Sequence, residues 1–388
     1  MKVLIVSGIW PPDVGGPASH APEVAAFLRS HGHEVEVVTT ASAPPAPEDY
    51  PVRWASRSLP KGAVHVRAGL LVRERAAHAD VVYTTGMFGR SAGGARLART
   101  PYVVKLTADP AFERARRRGE IGGDVDAFQR LGGGLRVRAY RLARDLELRG
   151  AAHVFTPSAY LAELTVSWGV PAARVSVLPN PAPVVPELRP RDELRAGLGM
   201  DGPTLAFAGR LTAQKSLGVA LEALAANEGV ALFVAGEGGE RAALERRAAE
   251  LGLEERVRFL GPLPRRGVLE LFRAADASVL SSSWENFPHS VVEALAAGTP
   301  VLATAIGGVA EVVREGENGL LVPAEDPPAL AEAIRRFFAD AELRERLRAA
   351  AAPSVVDYAP DRVFARLEEA LTAAARIPDV SRPATSGN

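Results

Sequence analysis

The 388-residue chain contains no cysteine. Disulfides, thiolate catalysis, zinc–cysteine sites and iron–sulfur clusters are therefore excluded together, and the composition fits a reducing, cytoplasmic setting. Aromatic residues make up only 6% of the chain. No run approaches the roughly 18 consecutive apolar residues of a membrane-spanning helix. Val3 to Val6, behind Lys2, is apolar but stops at Ser7 and Gly8, so it reads as a buried strand rather than the core of a signal peptide. P-loop and HExxH sequences are absent, and the 7 histidines form no ligand constellation, so no metal is expected. The net charge is zero, with 46 basic and 46 acidic side chains, which leaves bulk attraction to nucleic acid without support. That zero is a sum of +7 over residues 1–180 and −7 over residues 181–388.

What is present is a composition of 47% hydrophobic and 24% charged residues over a length of two to three domains, the profile of a globular protein with a sizeable core. Val3 to Ser7, a Gly and Pro-rich loop, helical sequence from Ala21 to His31 and Glu34 to Thr39 make a β-loop-α-β opening. Short apolar strands such as these are buried on both faces of a parallel sheet. Val81 to Thr84, Tyr102 to Leu106, Val154 to Thr156 and Val175 to Leu178 continue the series. A second series runs through Thr204 to Ala208, Ala231 to Ala235, Val257 to Leu260, Ala277 to Leu280 and Pro300 to Ala303. Between them lie four prolines in eight residues, from Pro179 to Pro186, which continue neither a helix nor a central strand. The expected architecture is α/β, with two Rossmann-like, doubly wound parallel-sheet domains facing across a cleft. The expected boundaries are 1–180, a Pro-rich linker 181–203, 204–359, a helix 360–376 crossing back to the first domain, and a disordered tail 377–388. In such sheets ligands sit outside the carboxyl ends of the strands.

Two constellations stand at such ends. Ser283-Trp-Glu285-Asn286-Phe287-Pro-His289-Ser290-Val-Val-Glu293 follows one strand and enters a helix. A loop carboxylate can accept hydrogen bonds from sugar hydroxyls, one a turn into the helix can take a ribose diol, and the amides at the helix start can meet a diphosphate. The plain reading makes Glu285 and Glu293 ordinary helix charges. Phe207-Ala-Gly209-Arg210-Leu-Thr-Ala-Gln-Lys215-Ser216 opens another helix, where an Arg and a Lys five apart can converge on a phosphate pair.

Together with Pro11-Pro12-Asp-Val-Gly15-Gly16, Val177-Leu-Pro-Asn180-Pro, Val234-Ala-Gly236-Glu-Gly238, Val257-Arg-Phe-Leu-Gly261, Gly298-Thr-Pro300-Val, Gly307-Gly308-Val-Ala-Glu311 and Asn318-Gly-Leu-Leu-Val322, these motifs run in the order of one family. The chain resembles the retaining nucleotide-sugar glycosyltransferases of family 4, with the GT-B fold, over nearly its whole length. The resemblance implies a metal-independent hexosyltransferase without a cofactor, moving a sugar from a nucleoside diphosphate sugar to an acceptor hydroxyl with retention. UDP is the commonest donor nucleotide in that family and GDP the alternative. Arg210 and Lys215 then match the diphosphate clamp, Glu285 the donor-sugar glutamate and Glu293 the ribose glutamate. Gly15 and Gly16 match the glycine loop of the first domain. The backbone around Arg258 matches the strand edge beside the base, and Asn286, Phe287, His289 and Ser290 complete the donor loop. Ser216 departs from the glycine that usually follows the lysine, and Asn286 from the usual glycine or serine.

Asp109, in Lys105-Leu-Thr-Ala-Asp109-Pro, occupies the place of a histidine found near the sugar in many relatives. It is a candidate sugar or acceptor ligand, a candidate base, or the cap of the helix that follows, since Asp before Pro is an ordinary helix start. Asp124-Val-Asp126 imitates a metal-binding DxD but follows two glycines without a strand, and is read as solvated. The turn at Gly236 and Gly238 lacks the third glycine of a dinucleotide fingerprint, which argues against an NAD oxidoreductase. Residues 112–150 hold ten arginines against six acids, with Leu135, Val137, Tyr140, Leu142 and Leu146 interleaved. The adopted reading is an amphipathic helix packed on the first domain; the alternative is an anionic acceptor site or peripheral contact with lipid headgroups at the inner membrane face. A nucleotide-sugar epimerase and a non-catalytic nucleotide-sugar-binding protein are the rival functions.

Overall fold

The computed structural model describes residues 1–13, 16–123, 125–130 and 132–376. Gly15, Asp124 and the expected tail 377–388 lie outside the described residues. The chain divides into two compact units, Met1–Leu178 with the segment from Phe364 onward, and Pro179–Val363.

In the first unit the strands are β1 (Lys2–Ser7), β2 (Glu34–Ala41), β3 (Val52–Ser56), β4 (Val81–Thr84), β5 (Tyr102–Lys105), β6 (His153–Thr156) and β7 (Val175–Val177). They form one parallel sheet in the order β3-β2-β1-β4-β5-β6-β7. Its helices are α1 (Gly16–Ser30), α2 (Lys61–Ala76), α3 (Phe88–Ala98), α4 (Pro110–Arg117), α5 (Val125–Arg130), α6 (Leu135–Arg149) and α7 (Ala159–Ser167). Leu4 and Val6 of β1 point into a core closed by Val64, Val72, Ala95 and Leu148 from α2, α3 and α6. β1 is buried from Val3 to Ser7, which is why its sequence is continuously apolar instead of alternating.

In the second unit the strands are β8 (Thr204–Ala208), β9 (Ala231–Ala235), β10 (Val257–Gly261), β11 (Ala277–Leu280), β12 (Val301–Thr304) and β13 (Gly319–Val322). They form a parallel sheet in the order β10-β9-β8-β11-β12-β13. Helices are α8 (Arg191–Leu198), α9 (Leu217–Ala225), α10 (Arg241–Glu250), α11 (Arg265–Ala274), α12 (His289–Ala296), α13 (Val309–Val312), α14 (Pro327–Ala339) and α15 (Ala341–Ala351), and α16 (Pro360–Ala375) begins in this unit and continues into the first. Leu205 and Phe207 of β8 face one core while Ala206 and Ala208 face the other, the period of two expected for a strand buried on both sides.

Three readings of the sequence change here. β3 and β13 were not foreseen. Residues 181–203 are not a bare linker: they contain α8, and Ala182, Leu194 and Met200 enter the core of the second unit. The interleaved leucines of α6 do not form its packed face. Leu135, Leu142 and Leu146 are 85%, 61% and 52% exposed, while Val137, Arg144 and Leu148 are buried. Among the described residues no helix is long and apolar enough to cross a membrane.

Candidate functional site

The order of the second sheet reverses between β8 and β11, so the loops leaving these two neighbours diverge and open a crevice at their carboxyl ends. Arg210, Lys215 and Glu285 stand on those two loops.

The β8 loop is held by close backbone crossings. Gly209 N donates to Ala235 O at 3.0 Å, Leu211 N to Glu237 O at 2.9 Å and Glu240 N to Leu211 O at 3.1 Å. A Cβ on Gly236 would stand 1.8 Å from Gly209 O, and one on Gly238 2.1 Å from Leu211 O. These glycines exist so that the β9 loop can cross the β8 loop, a role unrelated to dinucleotide binding. The chain then makes a 3-10 turn at Ala213–Lys215 and enters α9 through Ser216, whose φ of 44° is left-handed. That conformation explains why glycine is the usual residue there.

The β11 loop is laced to this turn. Ser283 N donates to Gln214 O at 2.9 Å, Ser281 Oγ to Lys215 O at 3.2 Å and Gln214 Nε2 to Trp284 O at 3.0 Å. Thr304 Oγ1 fixes the same loop from β12 by donating to Ser282 O at 2.7 Å. The lacing brings Lys215 Nζ onto Glu285 Oε1, which also accepts from Ser282 Oγ at 3.0 Å. The pair is largely buried. Sequence reasoning missed Ser281, Ser282, Gln214 and Thr304; the signal was three serines ending an apolar strand, polar groups that a buried loop needs to satisfy its backbone.

Arg210 is exposed and makes no hydrogen bond or ion pair among the described residues. His289 begins α12, with its ring 3.1 Å from Asn180 Nδ2. Phe287 is buried edge-on against His289 and Tyr358, so its ring packs the loop. Asn286 is buried and Ser290 half-buried. Glu293, one turn into α12, is half-buried; burial raises its carboxyl above the ordinary value, against the opposing charge of Arg265. The Arg258 side chain is not brought to the loops: it lies over the Phe233 ring and donates to Leu198 O at the end of α8 at 3.1 Å.

In the first unit Gly16 opens α1. Of the three readings offered for Asp109, the geometry displays the helix cap. Its Oδ1 accepts from the amides of Ala111 and Phe112 at 2.8 and 3.3 Å, and its Oδ2 from Gln129 Nε2 and Arg144 Nη1 at 2.9 and 2.8 Å. The side chain is fully buried against an arginine that is itself buried. Both oxygens are committed to partners within the first unit. Asp109 is the cap of α4 and the partner of Arg144.

Residues 15–181 match the model of the glycosyl transferase 4-like domain, and residues 190–353 that of the glycosyl transferases group 1. The D-inositol 3-phosphate glycosyltransferase of Acidothermus cellulolyticus is 31% identical over 378 residues, covering 86% of this chain and 80% of that protein. D-inositol 3-phosphate glycosyltransferase 1 of Catenulispora acidiphila is 30% identical over 92% of each. The enzyme of the same name from Nocardia farcinica is 37% identical over 201 residues, a match spanning 44% of its length. Among solved structures, Anabaena HepE in complex with UDP-glucose superposes with a TM-score of 0.78 at 23% identity, covering 96% of this chain and all of that one. Sucrose-phosphate synthase from Thermosynechococcus elongatus gives 0.78 at 21%, covering 96% and 99%. With its motifs in order and its two sheets in this architecture, the chain belongs to the group 1 glycosyltransferases of family 4 and has the GT-B fold.

Proposed function

We propose that the protein transfers a sugar, with retention, from a nucleoside diphosphate sugar to an acceptor hydroxyl. The observation that carries this is the Lys215, Glu285 and Ser282 cluster at the switch point of the second sheet, with Arg210 uncommitted beside it. Departure of the diphosphate leaves an oxocarbenium-like sugar, so the protein's task is to stabilise charge on the leaving group and hold the two reactants in line. Arg210 supplies a planar fork for phosphate oxygens, and Lys215 a point charge that Glu285 orients. The amides of His289 and Ser290, at the start of α12, add partial positive charge. The second oxygen of Glu285 takes sugar hydroxyls, and Glu293 takes the ribose diol. In the front-face scheme the leaving phosphate accepts the acceptor's proton, which requires no protein nucleophile and leaves Asp109 outside the reaction.

UDP is the favoured nucleotide, supported by the family's usual donor and by the UDP and UDP-glucose complexes of HepE; GDP is the alternative. The names of the curated relatives make D-inositol 3-phosphate the first acceptor to assay. Thermal-shift measurements against UDP, GDP and ADP identify the nucleotide. Lys215→Ala and Arg210→Ala should each lower turnover by about a hundredfold or more with circular dichroism unchanged. Near-normal turnover in either variant removes it from the clamp. Donor incubated without acceptor should return unepimerised.

A further inference from the structure

The outer face of α6 joins a larger surface. Leu135, Leu142 and Leu146 lie at i, i+7 and i+11, one stripe of the helix, and the residues sharing it are Arg138, Ala139 and Arg149. The helix is turned this way because Arg144 points inward, onto Asp109 and over the Trp168 ring at 3.8 Å. α3 lies beside α6, with Arg96 Nη2 donating to Leu146 O at 2.7 Å, and exposes Leu97. α2 packs on α3, where a Cβ on Gly94 would stand 2.7 Å from Val72 Cγ1, and exposes Val66 and Leu70. Six of the ten exposed large aliphatic side chains among the described residues stand on these three helices, a concentration that marks an interaction surface.

The charge on these helices is predominantly positive, although Arg144, one of their basic residues, faces inward. α2, α3 and α6 carry eleven basic and three acidic residues. Of the acids, Glu74 and Asp145 are paired with arginines. Between the helices Arg90 hydrogen-bonds His65, and the field of Arg114 reaches both. The Arg90 Nε is buried without a hydrogen-bond partner. Glu147 is the carboxylate facing this group.

We propose that the α2, α3 and α6 face docks on an anionic lipid bilayer, with the leucines entering the headgroup–acyl boundary and the arginines meeting lipid phosphates. Leucine interleaved with arginine on one helical face is the pattern of an interfacial helix. A second copy of the chain fits the face less well, because a two-fold interface would set like charges against one another. Nothing in this surface belongs to the donor cluster of the second unit, so the two proposals fail independently.

The test is co-sedimentation of the full chain with vesicles of phosphatidylcholine alone and of phosphatidylcholine mixed with phosphatidylglycerol. The protein should sediment with the anionic vesicles only, and raised salt should weaken binding by about tenfold. A triple variant, Leu135→Gln, Leu142→Gln and Leu146→Gln, should lose about tenfold in vesicle binding while its melting temperature and UDP-induced thermal shift match the parent. Equal recovery with neutral vesicles, no recovery with anionic ones, or undiminished binding by the triple variant overturns the proposal. So does a dimer in sedimentation velocity that the triple variant converts to monomer, which would assign the face to a second copy.

Discussion

Both carboxylate oxygens of Asp109 are used within the first unit, and Arg144 depends on one of them. Removing one partner of a buried ion pair strands the other charge, so Asp109→Ala should cost about 3–5 kcal/mol in denaturant unfolding. The fraction that remains folded should keep its turnover. Lost turnover with stability intact would return Asp109 to the reaction. A second buried charge reports on pH. Lys105 is fully buried, donates to Leu178 O, and is lowered to about 7 from 10.5 by burial and by the charge of Arg366. Between those values the unfolded chain holds more protons than the folded one, so stability should rise as pH increases from about 7 to 10.5. Unfolding curves across that range should show the slope, and Lys105→Met should flatten it.

Ser216 sets the price of the β8–α9 element. A non-glycine residue in left-handed backbone is strained by about 1–2 kcal/mol, and its hydroxyl bond to Ala213 O at 3.0 Å returns part of this. Ser216→Gly should therefore leave the melting temperature unchanged or slightly raised, whereas Ser216→Val, branched at Cβ, should lower stability by about 1–2 kcal/mol. A large loss in the glycine variant would refute the strain. The strands whose side chains are apolar on both faces, β1, β4, β8, β9 and β11, could be read directly from sequence. β3 could not, because an edge strand pairs on one side only and Arg53 interrupts its apolar pattern. β13 is also an edge strand, and it opens on Gly319 behind a turn at Gly316, so only Leu320 to Val322 carry an apolar signal. For α6, spacing identified a stripe of leucines but not the side it would face; the inward pull of Asp109 on Arg144 decided that, and it comes from a helix far away in sequence. The charged groups of the Lys215–Glu285 cluster were readable for a similar reason in reverse, since strand-to-helix loops at a switch point are fixed by topology. The serines that lace the loops were not, because their partners are backbone atoms of a distant segment.

The chain passes from the first unit to the second after Leu178 and returns at Phe364. In the first unit, Phe364, Leu367 and Leu371 of α16 are buried, and Glu368 accepts from His31 and His33 at 2.7 and 2.6 Å. Burying three such side chains contributes about 1.5–3 kcal/mol each, comparable in sum to the whole stability of a domain, about 5–15 kcal/mol. A chain ending at residue 359 should therefore leave the first unit unfolded or aggregating although residues 1–178 are all present. Limited proteolysis would read this as cleavage within the first unit alone. Resistance equal to the full chain would refute it.

This double crossing also bears on synthesis. A ribosome delivers the first seven strands early, but the helical segment that completes their unit, from Phe364 onward, arrives after the whole second unit. At ordinary elongation rates the interval is ~10–40 s. For that time the first unit lacks the apolar side chains of α16 that pack on α1, so chaperone occupancy during translation should be set by the arrival of the segment from Phe364 onward and not by the half that needs the help.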